Sequence, residues 1–509
     1  MSILSLKFLF QVIIYRQQPI ILGVIEVAAP IRVRFSGTII FLGNLTSVLT
    51  GIIFTVLVAR SLASYELGAW FFLGAVISYF QVLENVLTYW ASRDIPRGLR
   101  VAKTCIVSNF LISLPLTIWF IILSYYLVPM IGYPRTLFLI GGLFISIYYT
   151  LNAITSVIFS KEPHKLGLKN VIIDGCKIPL ALVMLNYGLL GVIIAVVIAN
   201  ILFILYGLRI SKKYFEEKLN FYWVKSRIKH SWLPLHESII GYVSAASDSL
   251  IIGVLLSPSS LSLYGIALTL GRVMKYTSDL VSPIYPKILS KGEITLNEIK
   301  ESFKFLYIFS IPLLIGGLLL NKALVGIFGI KYIDAAILLY FIFPAFFFST
   351  IFSTMQLIVT AMDKVDAGVR LEPNKLLKSK LFTTQLINYV SIIILITGSV
   401  LLTPILGVIG PALARLCASI TSLVMLYYIF ARRILKVKLI FAGFKEILLS
   451  VIPMIIFLYF YNPLKFSETL LAILLGASLY FVALILVDKN SRKLLRLFIK
   501  EFSSTLHFH

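Results

Sequence analysis

The chain has 509 residues, of which 59% are hydrophobic and 13% are charged, and its formal net charge at pH 7 is +24. Soluble domains are about 45–50% apolar, so a protein of this composition could not cover its own surface in water. The composition therefore indicates an integral membrane protein. It excludes a soluble basic domain, so nucleic acid is not an expected partner despite the positive charge.

Fourteen apolar segments are predicted to cross the membrane as α-helices, since a helical span needs about 20 residues. In chain order, the first six are Thr38–Ala59, Gly68–Trp90, Cys105–Val128, Leu137–Phe159, Val171–Leu185 and Gly188–Leu208. The next four are Leu233–Leu256, Leu261–Tyr285, Phe305–Leu320 and Ala335–Ala361. The last four are Leu381–Leu402, Ile405–Phe430, Ile447–Tyr461 and Thr469–Val487.

The distribution of positive charge supports this number of spans. With both termini inside, the inward segments hold 37 of the 46 Lys and Arg residues and the outward loops hold only five. Cytoplasmic loops of membrane proteins are enriched in Lys and Arg. The net charge is thus explained by topology, and a multi-pass protein of the cell membrane with both termini cytoplasmic is expected.

Two short motifs indicate an internal duplication. The segments "YGLLGVIIA" and "LGVIGPALA" pair Gly188 with Gly407, Gly191 with Gly410 and Ala195 with Ala414. A second alignment sets Trp70 opposite Tyr264 and pairs Ser78, Gln81 and Asn85 with Arg272, Lys275 and Asp279. Both copies begin with a helix running from inside to outside, so the expected architecture is all-α, with two parallel six-helix repeats and two additional helices.

The predicted organisation follows from these boundaries. Residues 1–37 form a cytoplasmic or interfacial segment, 38–210 the first six-helix lobe and 211–232 a basic cytoplasmic linker. Residues 233–430 form the second lobe, 431–487 the two additional transmembrane helices and 488–509 a basic cytoplasmic tail.

Polar stripes run along four spans that the hydrophobicity pattern places in the membrane. Arg272, Lys275 and Asp279 fall within about 60° on span eight, together with Tyr276. The other stripes include Ser78, Gln81, Glu84 and Asn85 on span two, Glu237, Ser244 and Asp248 on span seven, and Asn44 on span one. An ionised residue at mid-bilayer costs about 2.5–3.5 kcal/mol, so these side chains should face protein or water. The stripes predict a wet central cavity, with interhelical ion pairing as the alternative.

Other charged and kinking residues have structural interpretations. Asp174 and Lys177 are three residues apart on span five and could neutralise one another, with a structural and a functional role equally open. Arg415 lies below the turn of span twelve, where a packing role is favoured. Pro283, beside the charged stripe, is the best candidate for a hinge.

Motifs for bound cofactors and metals are absent from the sequence. Cys105, Cys176 and Cys417 are scattered without pairing, there is no HExxH motif, and no P-loop GKS or GKT occurs. No cofactor, no metal site and no intrinsic ATPase are therefore expected.

The segments "VARSLASYELGAW" after span one and "LLTPILGVIGPALA" at spans eleven and twelve carry a resemblance. They resemble the polysaccharide transporter family (Wzx-type O-antigen flippases) of the MOP superfamily over most of residues 36–487. The sequence departs from that pattern at Ser61, Ala63, Ser64 and Pro411. The resemblance implies a V-shaped, two-lobed bundle that moves a lipid-linked oligosaccharide from the inner to the outer leaflet.

The expected function is accordingly that of a flippase, and no chemical bond changes. Arg272 and Lys275 would neutralise the anionic (pyro)phosphate head. Tyr276, Ser78, Gln81 and Asn85 would bind sugars, and Asp279, Glu84, Asn44 and Asp248 complete the expected substrate-binding set. H⁺ or Na⁺ is a candidate coupling ion, with Glu237, Asp248 and Glu84 as candidate coupling residues; membrane lipids are further partners and a monomer is expected.

Two other functions compete with this interpretation. In a cation-coupled multidrug exporter of the MATE type, Asp248 and Glu237 would bind the coupling ion or a cationic drug. A membrane glycosyltransferase or polymerase would need charged catalytic groups in sizeable outward loops. The outward loops here are mostly under about ten residues and nearly uncharged, which disfavours an enzyme.

Overall fold

The computed structural model of the protein describes residues 50–281, 295–361, 379–432, 437–461, 463 and 465–492. These residues form helices joined by short connections, and no strand occurs among them. Ten helices in this part of the chain are long and apolar enough to cross a membrane. The protein is a multi-pass, all-helical membrane protein.

The helices are numbered here in chain order. The first eight are α1 (Thr50–Ser61), α2 (Ser64–Phe80), α3 (Asn85–Asp94), α4 (Ala102–Ile131), α5 (Arg135–Gly141), α6 (Leu143–Lys161), α7 (Gly167–Met184) and α8 (Gly188–Ser211). The next seven are α9 (Phe221–Lys229), α10 (Trp232–Leu255), α11 (Pro258–Arg272), α12 (Tyr276–Asp279), α13 (Leu296–Leu319), α14 (Asn321–Gly326) and α15 (Leu339–Ala361). The last five are α16 (Lys380–Leu406), α17 (Ile409–Leu426), α18 (Val437–Ile440), α19 (Phe444–Phe460) and α20 (Phe466–Val487).

The difference between ten apolar helices and fourteen predicted spans has simple causes. Spans five and six form one apolar stretch, Leu168–Ser211, because only a 3₁₀ turn separates α7 from α8. The described part of span one is the short helix α1, and α19 has only 17 residues. Span eight is interrupted. The number fourteen therefore stays a prediction.

The predicted duplication is visible in backbone geometry at the outward turns before α8 and α17. Gly188 has φ 61° and ψ −145°, and Gly407 has φ 57° and ψ −137°, a region that residues with a Cβ rarely adopt. A Cβ on Gly191 would lie 1.8 Å from the carbonyl oxygen of Met184, and one on Gly410 would lie 2.6 Å from the carbonyl carbon of Leu402. Each second glycine thus lets its helix pack against the end of the preceding helix.

The first two helices of each repeat share a register. Helix α1 ends at Ser61 and α2 begins at Ser64, while α10 ends at Leu255 and α11 begins at Pro258. The two helix ends are 194 residues apart in the chain, and so are the two helix starts. The same spacing pairs Trp70 with Tyr264. The second helix of each repeat is then broken by a 3₁₀ turn, at Gln81–Leu83 and at Val273–Lys275. Spans two and eight therefore each change from α-helical to 3₁₀ pitch within the span.

The linker and the additional helices are attached by buried polar contacts. In the linker helix α9, the guanidinium of Arg227 binds both carboxylate oxygens of Asp94 at 2.8 and 3.0 Å, and Trp223 Nε1 donates to the same carboxylate at 2.9 Å. Helix α20 packs on α13, where Tyr480 donates to the carbonyl of Ile308 at 2.8 Å.

Candidate functional site

Helices α2 and α10 form an antiparallel seam between the two predicted lobes. The term outer is used here for the end of each span that the charge distribution predicts to face outside. From the outer end inward, the contacts join Gly68 with Pro258, Phe72 with Gly253, Tyr79 with Ser247 and Glu84 with Tyr242. On the side of span two the seam runs over sixteen residue steps, from Gly68 to Glu84, or about 24 Å at 1.5 Å per residue.

The outer part of the seam is tightly packed because glycines at the contact points let the helices approach closely. A Cβ on Gly68 would lie 1.8 Å from the carbonyl oxygen of Pro258, and one on Gly253 would lie 2.2 Å from the ring of Phe72. A Cβ on Gly265 of α11 would likewise lie 2.2 Å from the ring of Phe71. The lobes are therefore closed against each other at their outer ends.

A second set of contacts closes the outer side, between the turn after α1 and the connection from α14 to α15. Arg60 Nε donates to the carbonyl of Ile327 at 2.8 Å, and Tyr332 donates to the carbonyl of Ala59 at 3.1 Å. Lys331 also donates to the carbonyl of Leu62. Three donors thus bind carbonyl groups on the opposite lobe.

Farther inward, parts of the polar stripes of spans two and seven face open space. Among the described residues, no atom of a neighbouring element lies within 4 Å of a Cβ placed on Gly74 or on Gly241. Arg272 and Lys275 are exposed, and Arg272 interacts electrostatically with Asp248. The side of α11 that contacts the first lobe at Gly265 therefore separates from it over the next two turns.

A buried ion pair lies beside Arg272. The carboxylate of Asp248 is fully buried and accepts hydrogen bonds from Arg415 Nε at 2.7 Å, from the backbone NH of Ser249 at 2.8 Å and from the hydroxyl of Tyr264. Arg415 Nη2 lies 2.5 Å from Asp248 Oδ2. These contacts connect α10, α11 and α17 and satisfy the buried charges.

The other predicted site residues have different surroundings. Asn85 Oδ1 accepts from Asn152 at 2.9 Å within the first lobe, and Ser78 donates to the carbonyl of Gly74 at 2.8 Å. Gln81 is partly exposed in the 3₁₀ turn, and Tyr276 is exposed.

Glu84 and Glu237, the two glutamates of the predicted set, differ in exposure. Glu84 is buried and accepts a hydrogen bond from Tyr242, whereas Glu237 is exposed. Asn44, Pro283 and the side chain of Asp279 lie outside the described residues.

The structure gives partners to the charged residues on spans five and twelve. Arg415, for which packing was favoured, is the ion-pair partner of Asp248, because α17 crosses α10 at the buried carboxylate. The predicted neutralisation of Asp174 by Lys177 is confirmed by a separation of 2.5 Å. Asp174 also accepts a hydrogen bond from Thr50 at 2.6 Å, so this pair fixes α7 to α1.

Sequence reasoning missed Tyr242 and Tyr264 because isolated tyrosines in an apolar helix resemble ordinary core residues. Both side chains donate to buried carboxylates on other helices. The sequence did contain one signal of the site around Tyr264. Arg415 is a lone charge in an apolar span, and such a charge needs a partner on another helix.

No protein-family model and no curated protein sequence matches the chain. Its fold is similar to that of the lipid II flippase MurJ in an inward closed conformation, with a TM-score of 0.69 and 17% identity, covering 90% of this chain and 99% of that chain. An inward-facing multidrug resistance MATE transporter of the MOP superfamily matches with a TM-score of 0.55 and 12% identity, covering 78% of this chain and 98% of that chain. An outward-facing MATE transporter of the MOP superfamily matches with a TM-score of 0.52 and 11% identity, covering 79% of this chain and 94% of that chain.

At these identities the comparison concerns the fold. The fold of this chain is similar to the folds of the flippase and of the two multidrug transporters, and none of these three structures is of an enzyme. The match to the flippase covers 90% of this chain, and the matches to these two multidrug transporters cover 78% and 79% of it.

Proposed function

We propose that the protein is a flippase that moves a lipid-linked oligosaccharide from the inner to the outer leaflet of the cell membrane by alternating access. The observation that carries the proposal is the exposure of Arg272 and Lys275 at the 3₁₀ turn of span eight, where the lobes separate. Two exposed cations in an apolar helix suit a ligand that brings its own negative charge. The (pyro)phosphate head of a lipid-linked sugar supplies that charge.

The neighbouring ion pair supports the same assignment. Arg415 neutralises Asp248, so this carboxylate does not compete with a ligand for Arg272. Gln81 is partly exposed in the 3₁₀ turn of span two, from which it could bind sugar hydroxyls. The lipid tail can remain in the bilayer while the polar head crosses between the lobes.

The fold supports a flippase over the multidrug exporter in one further respect. Helices α19 and α20 pack on α13, and the fold matches the lipid II flippase with a TM-score of 0.69, against 0.55 and 0.52 for the two multidrug transporters. The competing function would need Asp248 or Glu237 to bind a cation. Asp248 is fully buried and already holds the guanidinium of Arg415, which argues against that role in this conformation.

Removal of each cation tests the proposal. Arg272→Ala and Lys275→Ala should reduce affinity for a reconstituted lipid-linked oligosaccharide roughly ten- to hundredfold, because a hydrogen bond to a charged group contributes about 1.5–3 kcal/mol. Arg272→Lys should keep partial activity, since it retains the charge and loses the bidentate geometry. Transport is measured in proteoliposomes as the appearance of labelled oligosaccharide in the opposite leaflet.

Controls separate binding from folding. Lys322→Ala removes an exposed cation of α14, away from the turn of span eight, and should transport normally. All variants should unfold at the temperature of the unaltered protein. Normal transport by Arg272→Ala would contradict the proposal. Recovery of normal transport when Asp279→Asn is added to Arg272→Ala would also contradict it, because the charge of Arg272 would then serve only to neutralise an acidic residue of the protein.

A further inference from the structure

Five carboxylates are buried among the described residues, and four of them are neutralised by a cation within 4.0 Å. The four pairs are Asp94 with Arg227, Asp174 with Lys177, Asp248 with Arg415 and Asp488 with Lys304. Glu84 is the exception in the described part of the chain. It is 6% exposed, and its Oε2 is buried without a hydrogen-bond partner.

Glu84 lies at the inner end of the α2–α10 seam, in the break between α2 and α3. Its Oε1 accepts from Tyr242 of the opposite lobe, and five residues farther out Tyr79 and Ser247 share a hydrogen bond of 2.7 Å. The Glu84–Tyr242 contact exists only while the two lobes meet at this point. Separation of α10 from α3 would break it and expose the carboxylate.

The titratable groups around Glu84 come from three helices. Tyr148 and Tyr149 of α6 and Lys169 of α7 interact with it electrostatically, and Tyr242 approaches from α10. Tyr149 donates to the carbonyl of Phe80 and is engaged there. Lys169 favours the ionised carboxylate, but the two groups do not form an ion pair within 4.0 Å, whereas burial without a paired cation favours the neutral acid.

We propose that Glu84 is a proton-binding site that couples protonation to closure of the inner end of the seam. In the closed seam the carboxyl group is dry and holds a proton, and its carbonyl oxygen accepts from Tyr242. When the lobes part, water reaches the group and the proton leaves. Because binding and conformation are linked, low pH stabilises the closed seam and high pH opens it.

The functional role of this proton-binding site rests on the proposed transport cycle, but the experiment that tests the site does not require transport. Spin labels at Arg93→Cys of α3 and Leu386→Cys of α16, both exposed, report the distance between the inner ends of the lobes. The native cysteines Cys105, Cys176 and Cys417 are first replaced, and the protein is placed in lipid nanodiscs without substrate. Distance distributions are recorded by pulsed electron paramagnetic resonance between about pH 5.5 and 8.5, roughly 1.5 units on either side of neutrality.

The expected result is a rise in the ratio of long to short distances with pH, by at most about tenfold per pH unit for one linked proton. Glu84→Gln mimics the neutral acid and should hold short distances at every pH. Glu84→Asp keeps a titratable group and should keep the pH response. This control shows whether a substitution at this position, rather than loss of the titratable group, abolishes the response. Asp174→Asn, at an ion-paired carboxylate within the first lobe, should respond like the unaltered protein.

A pH response that persists in Glu84→Gln would overturn the proposal, as would an unaltered protein whose distances do not change with pH. A protein that shows the response but moves no lipid-linked sugar would instead contradict the proposed function and leave the proton site standing.

Discussion

Asp248 of α10 and Arg415 of α17 form an ion pair with an N–O distance of 2.5 Å, although 167 residues separate them in the chain. The hydroxyl of Tyr264, on α11, donates to the same carboxylate. Because all three helices meet at one buried charge, the pair fixes their relative positions. The exposed Arg272 extends from this fixed part of the second lobe.

Removal of one partner of this pair should destabilise the protein strongly. Arg415→Ala leaves the buried carboxylate of Asp248 without a cation, which typically costs about 3–5 kcal/mol. The free energy of unfolding, measured in detergent by chemical denaturation, should fall by that amount. The double variant Asp248→Leu with Arg415→Met should recover most of the loss, because an apolar pair of similar volume avoids the desolvation of both charges. A loss below about 1 kcal/mol in Arg415→Ala would place the pair in the range of exposed ion pairs.

Cysteine accessibility tests the predicted wet cavity. Single cysteines at Gln81, Ser244 and Lys275 should react with a small water-soluble thiol reagent in intact membranes, because these positions are partly or fully exposed between the lobes. Ala267→Cys is the matched control, since Ala267 lies on α11 and is fully buried. Protection of all three test positions to the level of Ala267→Cys would indicate a dry bundle.

Epitope tags test the predicted topology. Tags inserted after Lys229 and Lys438 should be cytoplasmic, and tags at Pro258 and Asn462 should be accessible from outside, because the Lys and Arg residues concentrate in the segments assigned to the inside. Accessibility is measured with antibody on intact and on permeabilised cells. Detection of the Lys229 and Pro258 tags on the same side would remove span seven as a membrane crossing and with it the parallel repeat.

The contact between α20 and α13 should depend on pH at its inner end. Burial alone would raise the pKa of Asp488, but hydrogen bonds from Lys304, Ser491 and the backbone of Asn490 outweigh it and hold the pKa below its usual range. A depressed carboxyl pKa contributes stability that is present above the ordinary value of about 3.9 and is lost as pH falls through the folded value.

Asp488→Asn should therefore loosen the end of α20 at neutral pH and remove the acid dependence. Hydrogen exchange of the α20 amides, compared between pH 7 and pH 3 after correction for intrinsic rates, measures this. The control is Glu468→Gln, which alters an exposed pair with Lys465 at the other end of α20 and should change little. Equal protection in Asp488→Asn and in the unaltered protein at pH 7 would contradict the expected role of the ion pair.

The repeat could be predicted because turns are local. Gly188 and Gly407 adopt nearly the same left-handed conformation, which a glycine in a short outward turn makes possible without strain. The spacing of 194 residues that pairs Trp70 with Tyr264 likewise reappears in the ends and starts of the helices. Such features depend on a few consecutive residues, and a sequence contains them directly.

Helix pitch was harder to predict. Both second helices contain a 3₁₀ turn, at Gln81–Leu83 and Val273–Lys275, although neither segment contains proline or glycine. An α-helix and a 3₁₀-helix differ by one residue in hydrogen-bond spacing, and packing against neighbouring helices can select between them. The apolar periodicity of the sequence is similar for both.

Three properties of the chain follow from its sequence alone: it crosses the membrane repeatedly, it is duplicated, and it carries ionised side chains inside apolar spans. The partners of those side chains were decided only by tertiary structure. Arg415 could equally have paired with another acid, and nothing in its neighbourhood along the chain indicates Asp248. The physical reason is that a buried charge must be neutralised by whichever opposite charge the helix packing brings within about 4 Å, and sequence separation does not enter that energy.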